Sequence, residues 1–97
     1  MTQSNRDEKL EFLIKGILTL HTPEECLHFF EDLCTPSELE EMSLRLHAAK
    51  LLLENRTYAE IPDETGLSTA TVSRVNRCLK FGNNGYGTVI ERMRKNR

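Results

Sequence analysis

The stretch Thr57-Tyr58-Ala59-Glu60-Ile61-Pro62-Asp63-Glu64-Thr65-Gly66-Leu67-Ser68-Thr69-Ala70-Thr71-Val72-Ser73-Arg74-Val75-Asn76-Arg77-Cys78-Leu79-Lys80-Phe81 decides the fold. It reads as a short helix over 57–65, a turn at Gly66 and Leu67, and a second helix capped by Ser68 and running to Phe81. Ile61 and Thr65 sit on the first helix, and at about 100° per residue Val72, Val75 and Leu79 share the face of the second that is turned to the core. Thr69, Ser73, Asn76, Arg77 and Lys80 fall on the opposite side, with Ala70 beside them. Two short helices joined by a glycine turn, the second apolar inside and polar outside, are the sequence form of a helix-turn-helix. Pro62 opposes this pattern, because inside a 57–65 helix it removes an amide and leaves the Tyr58 carbonyl without its partner. A bent or loosened first helix is expected.

The outer face of the second helix has the chemistry of a major-groove reader. Arginine pairs with guanine, asparagine with adenine, hydroxyls with bases or phosphates, and an alanine methyl with thymine. The candidate DNA-binding residues are therefore Ser68, Thr69, Ala70, Thr71, Ser73, Asn76 and Arg77, with Lys80 and Arg56 placed for phosphates, which set register without reading sequence.

Outward from this stretch, helix starts are written as capping boxes. Thr22-Pro23-Glu24-Glu25 and Thr35-Pro36-Ser37-Glu38 combine a threonine cap, a proline at the first helical position and a glutamate three residues after the cap; Thr57 to Glu60 is a third box without proline. Leu10, Leu13, Ile14, Ile17 and Leu18 mark an amphipathic N-terminal helix. The helix from Pro36 to Glu54 carries Leu39, Met42, Leu46, Ala49 and Leu53 on one stripe and Leu44, Ala48, Leu51 and Leu52 on another flank, so it needs cover on two sides. Gly82-Asn83-Asn84-Gly85-Tyr86-Gly87 reads as a hinge, and a last basic helix is expected from Thr88 onward. The whole is an all-α chain of six helices, expected to form one domain over 1–97: 1–54 mainly a dimerisation core, 57–81 the helix-turn-helix and 88–97 the C-terminal helix. A chain of 97 residues leaves much apolar surface without a partner, and a homodimer is expected.

Net charge is −2, an unpromising value for a polyanion binder until the charges are located. Residues 1–41 hold three basic against ten acidic side chains, a net of −7, whereas residues 66–97 hold seven basic against one acidic, a net of +6. The basic terminus, Arg92, Arg94, Lys95 and Arg97, complements a helix C-terminal dipole or adds nonspecific attraction to DNA. No apolar run nears the roughly 20 residues of a membrane span. The polar opening Thr2 to Asp7 lacks an apolar signal core, so a cytoplasmic location is expected. Cys26, Cys34 and Cys78 form no C-x-x-C pair, which argues against a disulfide framework. His21, Cys26, His28 and Cys34 fit no metal-ligand spacing, and Cys26 reads as a buried apolar thiol. No catalytic constellation or phosphate loop can be assembled, so neither an enzyme nor a cofactor is expected.

From Thr35-Pro36 through Lys80 the chain resembles the trp repressor family, and most of all the trp repressor-like YerC/YecD proteins. The resemblance rests on Thr35-Pro36-Ser37-Glu38, on Leu44-Arg45-Leu46 in the long helix, and on Glu64 through Arg74. It implies an intertwined six-helix homodimer and a bacterial, repressor-like transcriptional regulator of double-stranded DNA. It also implies a corepressor site, to which Thr35, Arg45 and Arg74 correspond. Val75 stands where the family has a glycine that makes room for the indole, and Cys78 where it has a serine, so an effector other than tryptophan, or none, is expected. Arg45 and Arg74 either clasp such an effector or pair with acidic side chains to brace the fold. The rival reading of the whole chain is a protein-interaction module that keeps the helix-turn-helix scaffold without DNA binding.

Overall fold

A computed structural model describes residues 5–96, with side chains from Asp7. Among them are six α-helices and no strand: α1 (Asn5–Ile17), α2 (Pro23–Leu33), α3 (Pro36–Leu53), α4 (Glu60–Thr65), α5 (Thr69–Phe81) and α6 (Gly85–Lys95). The chain divides into two compact units, Met1–Leu39 and Glu40–Arg97.

In the first unit the capping boxes form as read. Thr22 Oγ1 accepts the Glu25 amide at 3.1 Å, and Glu25 Oε1 accepts the His21 amide at 2.8 Å. At the start of α3 the exchange is fully reciprocal: the Glu38 amide donates to Thr35 Oγ1 at 3.1 Å and the Thr35 amide to Glu38 Oε1 at 2.8 Å. Helix formation here outruns burial. No described residue of 7–39 is buried, Phe12 is 81% and Leu18 76% exposed, and Phe29 and Phe30 pack edge to face on each other at 5.3 Å. Cys26, read as a buried thiol, is exposed, because this unit offers no apolar side chain that covers its part of α2.

The second unit holds the core, in two clusters with α3 in both. Ala48 and Leu51 pack with Ile61, Leu67 and Val72, while Ala49 packs with Val75 and Ile90. Helix α5 thus enters one cluster through Val72 and the other through Val75, and half-buried Leu79 adds to the second. The two-sided apolar character of α3 has this origin, although Met42 and Leu53 stay 43% and 48% exposed.

Pro62 is resolved by a boundary. Helix α4 begins at Glu60 rather than 57, which places Pro62 in its first turn, where amides have no intrahelical partner and the missing N–H costs little. The Pro62 carbonyl then accepts the Gly66 amide at 2.8 Å, closing the helix. Gly66 adopts φ +78, the left-handed conformation of a helix C-cap, while the Thr65 hydroxyl donates to the Ile61 carbonyl and accepts the Leu67 amide. Helix α6 begins at Gly85, three residues earlier than Thr88: Asn84 takes the left-handed turn at φ 63 and accepts the Thr88 amide, so the glycines lie in the first helical turn and Tyr86 packs on the Ala49 cluster. Arg97 lies outside the described residues.

A Cβ on Gly66 would meet nothing within 4 Å, so Gly66→Ala isolates the cost of the left-handed backbone. It is expected to lower unfolding free energy by about 1–2 kcal/mol, whereas Ile61→Ala, emptying a wholly buried site, is expected to cost about 2–5 kcal/mol. Urea denaturation of the two variants checks the ranking.

Candidate nucleic-acid interface

Helix α5 carries the candidate site, and its own sequence sets its pose. Ser68 caps it, with Oγ accepting the Thr71 amide at 3.1 Å and donating to Thr71 Oγ1 at 3.0 Å. The two hydroxyls proposed to meet DNA from this end are thus also the cap. Beyond them Thr69, Ala70, Ser73, Arg77 and Lys80 are exposed, Asn76 is half-buried, and Val72 and Val75 hold the opposite side at 0% and 2% exposure. The apolar and polar faces of α5 are thus distinct, with Asn76 drawn in toward Tyr58.

Arg74 lines an open groove along α5 with Ser73, Arg77, Cys78 and Phe81, and has no acidic partner among the described residues. Arg45 does not line this groove; its Nη2 pairs with Glu41 one helical turn away, and its Nε is buried without a partner. Thr35 belongs to the first unit, where its hydroxyl is the α3 cap. Val75 is in the core against Ala49 and Ile90, and Cys78 is exposed at the groove.

Arg56 stands in a tighter arrangement than the sequence suggested. Its guanidinium reaches both Glu60, at 3.5 Å, and Glu64, while its amide donates to the Leu51 carbonyl at 3.0 Å. Arg56 lies between α3 and α4, so the helical four-residue rule does not announce the first pair. Tyr58, to whose side chain the sequence reading assigns no role, is half exposed and its hydroxyl accepts a hydrogen bond from Asn76 Nδ2. Eighteen residues separate them in the chain, so no local pattern announces that contact.

The Glu60 carboxylate also accepts from the Thr57 amide at 2.9 Å and from its hydroxyl at 3.1 Å. The amide bond is the main cause that holds its pKa below the ordinary 4.5, with the hydroxyl next and Arg56 adding to both. Among the described residues no group of His, Cys, Asp or Glu side chains is arranged to share a metal ion, and no helix is long and apolar enough to cross a membrane.

An all-α chain that displays a polar, basic helix on a buried two-cluster frame has an arrangement that helix-turn-helix regulators share. The family model for the Trp repressor protein matches residues 8–94. YerC of Bacillus subtilis (strain 168), itself uncharacterised, is 46% identical over 90 residues, which span 93% of this chain and 86% of that protein. The crystal structure of a TrpR-like protein from Eubacterium eligens ATCC 27750 matches with a TM-score of 0.85 at 49% identity, covering 89% of each chain. A candidate Trp repressor from Staphylococcus aureus matches with a TM-score of 0.86 at 47% identity, covering 90% of this chain and 87% of the other. The chain belongs to the Trp repressor family, a family of DNA-binding regulators.

Because the folded-state pKa of Glu60 is lowered, its bonds to Thr57 and Arg56 stabilise the fold fully above 4.5 and are lost as pH falls through the lowered value. Glu60→Gln removes this titration. Thermal melts on acidification are expected to fall less steeply for the variant than for the wild type.

Proposed function

We propose that the protein is a sequence-specific transcriptional regulator that binds the major groove as a homodimer through α5. One observation carries the reading: Thr69, Ser73, Arg77 and Lys80 face outward from a helix whose other side is locked by Val72 and Val75, so donors are presented on a rigid element. The +6 net charge of residues 66–97 supplies attraction to the phosphate backbone. Dimerisation is supported by residues 7–39, whose helices bury nothing and leave Leu10, Phe12, Ile14, Leu18, Leu27 and Leu33 uncovered. Two α5 helices related by a twofold axis suit a near-palindromic operator with half-sites about 34 Å apart.

The domain roles follow this reading. Residues 1–54 supply mainly the dimerisation core, 57–81 the helix-turn-helix, and the C-terminal helix packs behind it through Ile90. Arg77 and Asn76 read bases; Lys80 and Arg56 bind phosphates, Arg56 while tied to Glu60 and Glu64. Arg74 in its groove is where a small effector would add control, a role that the family resemblance implies for Arg74, Arg45 and Thr35. With Val75 occupying core volume and Cys78 at the groove, that effector is not tryptophan.

Selection of duplexes from a random pool, followed by fluorescence anisotropy across salt concentrations with and without candidate amino acids, tests the proposal. A palindromic site with a steep negative salt slope is the expected outcome, at a protein mass of two chains by light scattering. Arg77→Ala is expected to cost about 1–3 kcal/mol on the selected site and relax base preference, while Lys80→Ala weakens all duplexes alike. No duplex binding at any salt would favour a protein-interaction module instead.

A further inference from the structure

We infer that Tyr58 is a positioning residue for base recognition: its hydroxyl sets the pose in which the Asn76 carboxamide reads adenine, and it couples that pose to a phosphate contact. The inference rests on α5 being the helix that enters the major groove.

Tyr58 is itself held in place. Its neighbour Thr57 is bonded through amide and hydroxyl to Glu60, and Arg56, one residue further back, spans Glu60, Glu64 and the Leu51 carbonyl. From this braced turn the ring reaches α5, where the hydroxyl accepts from Asn76 Nδ2. Asn76 is half-buried beside the core residue Val75, so its backbone is as fixed as the ring. A carboxamide has two N–H donors and one carbonyl. With one N–H on Tyr58, the remaining N–H and carbonyl match the N7 acceptor and N6 donor that adenine shows in the major groove. Tyr58 is 50% exposed and its own O–H proton is not used by Asn76. Donated to a phosphate, that proton leaves the oxygen only lone pairs to offer, so Nδ2 must face it and the carbonyl must face the base. Backbone docking then dictates the polarity of the reading group.

The test uses the full chain and Tyr58→Phe, which keeps the ring and removes the hydroxyl, with Asn76→Ala and the double variant. In the free wild type and Tyr58→Phe, the Asn76 side-chain amide signals of a 15N–1H spectrum report the contact without DNA, and they are expected to shift. Unmoved signals overturn the inference whatever the DNA results. On the duplex selected by the wild type and on versions changed at each A·T pair, Asn76→Ala is expected to lose about tenfold of preference at one position in each half-site. Tyr58→Phe is expected to lose about threefold or more there, and nothing further at that position in the Asn76→Ala background. Equal loss on every duplex, in both backgrounds, would make Tyr58 a phosphate contact alone and overturn the inference. If the amide signals shift but the wild type selects no duplex, the major-groove reading of α5 has failed and the inference falls with it.

Discussion

Everything that faces outward from α5 depends on how it is seated. Val72 and Val75, three residues apart, enter two separate apolar clusters, and each cluster includes one of the adjacent alanines Ala48 and Ala49 of α3. A helix held at two points on neighbouring flanks can neither roll nor slide without exposing apolar surface, at roughly 25 cal/mol for each Å² uncovered. The wholly buried alanines are small by necessity, since a larger side chain at either would have to displace a core neighbour in interiors packed near crystal density. The outward face of Thr69, Ser73 and Arg77 is therefore rigid because the inward face is apolar and close-fitting.

Around this seat the polar network concentrates at the turn before α4. Arg56, Thr57, Glu60 and Glu64 tie one another down, and Tyr58 carries that order to Asn76 on α5. Exposed ion pairs of this kind contribute little individually; their effect is geometric, because they limit where the tyrosine ring stands. The first unit presents the opposite balance. The caps of α2 and α3 are made by their own side chains, yet none of the described apolar side chains of 7–39 is buried. Local hydrogen bonding there has run ahead of packing.

Pro62 shows how a local rule and a global fold agree once the boundary is right. A helix over 57–65 would have set the proline against its interior, whereas a start at Glu60 puts it in the first turn, and Thr57 to Glu60 closes as a turn with the Glu60 amide donating to the Thr57 carbonyl. The Gly85 start of α6 has the same basis: glycine penalties bear on helix interiors, and the packing of Tyr86 rewards the earlier start.

Beyond the motifs by which it resembles the Trp repressor family, the sequence alone determined the six helices, the threonine caps of α2 and α3, the serine cap of α5, the Gly66 turn, and the division of α5 into a buried valine face and a polar face. These follow from periodicity and capping, which act over three or four residues and so are written in adjacent letters. The tertiary structure decided what no short window contains. It showed that Ala48 and Ala49 serve different clusters, that Cys26 is exposed, that Arg45 pairs with Glu41 while Arg74 opens onto a groove, and that Tyr58 meets Asn76 eighteen residues away. Those facts depend on how helices approach one another, and that approach is set by the volumes of side chains far apart in the chain.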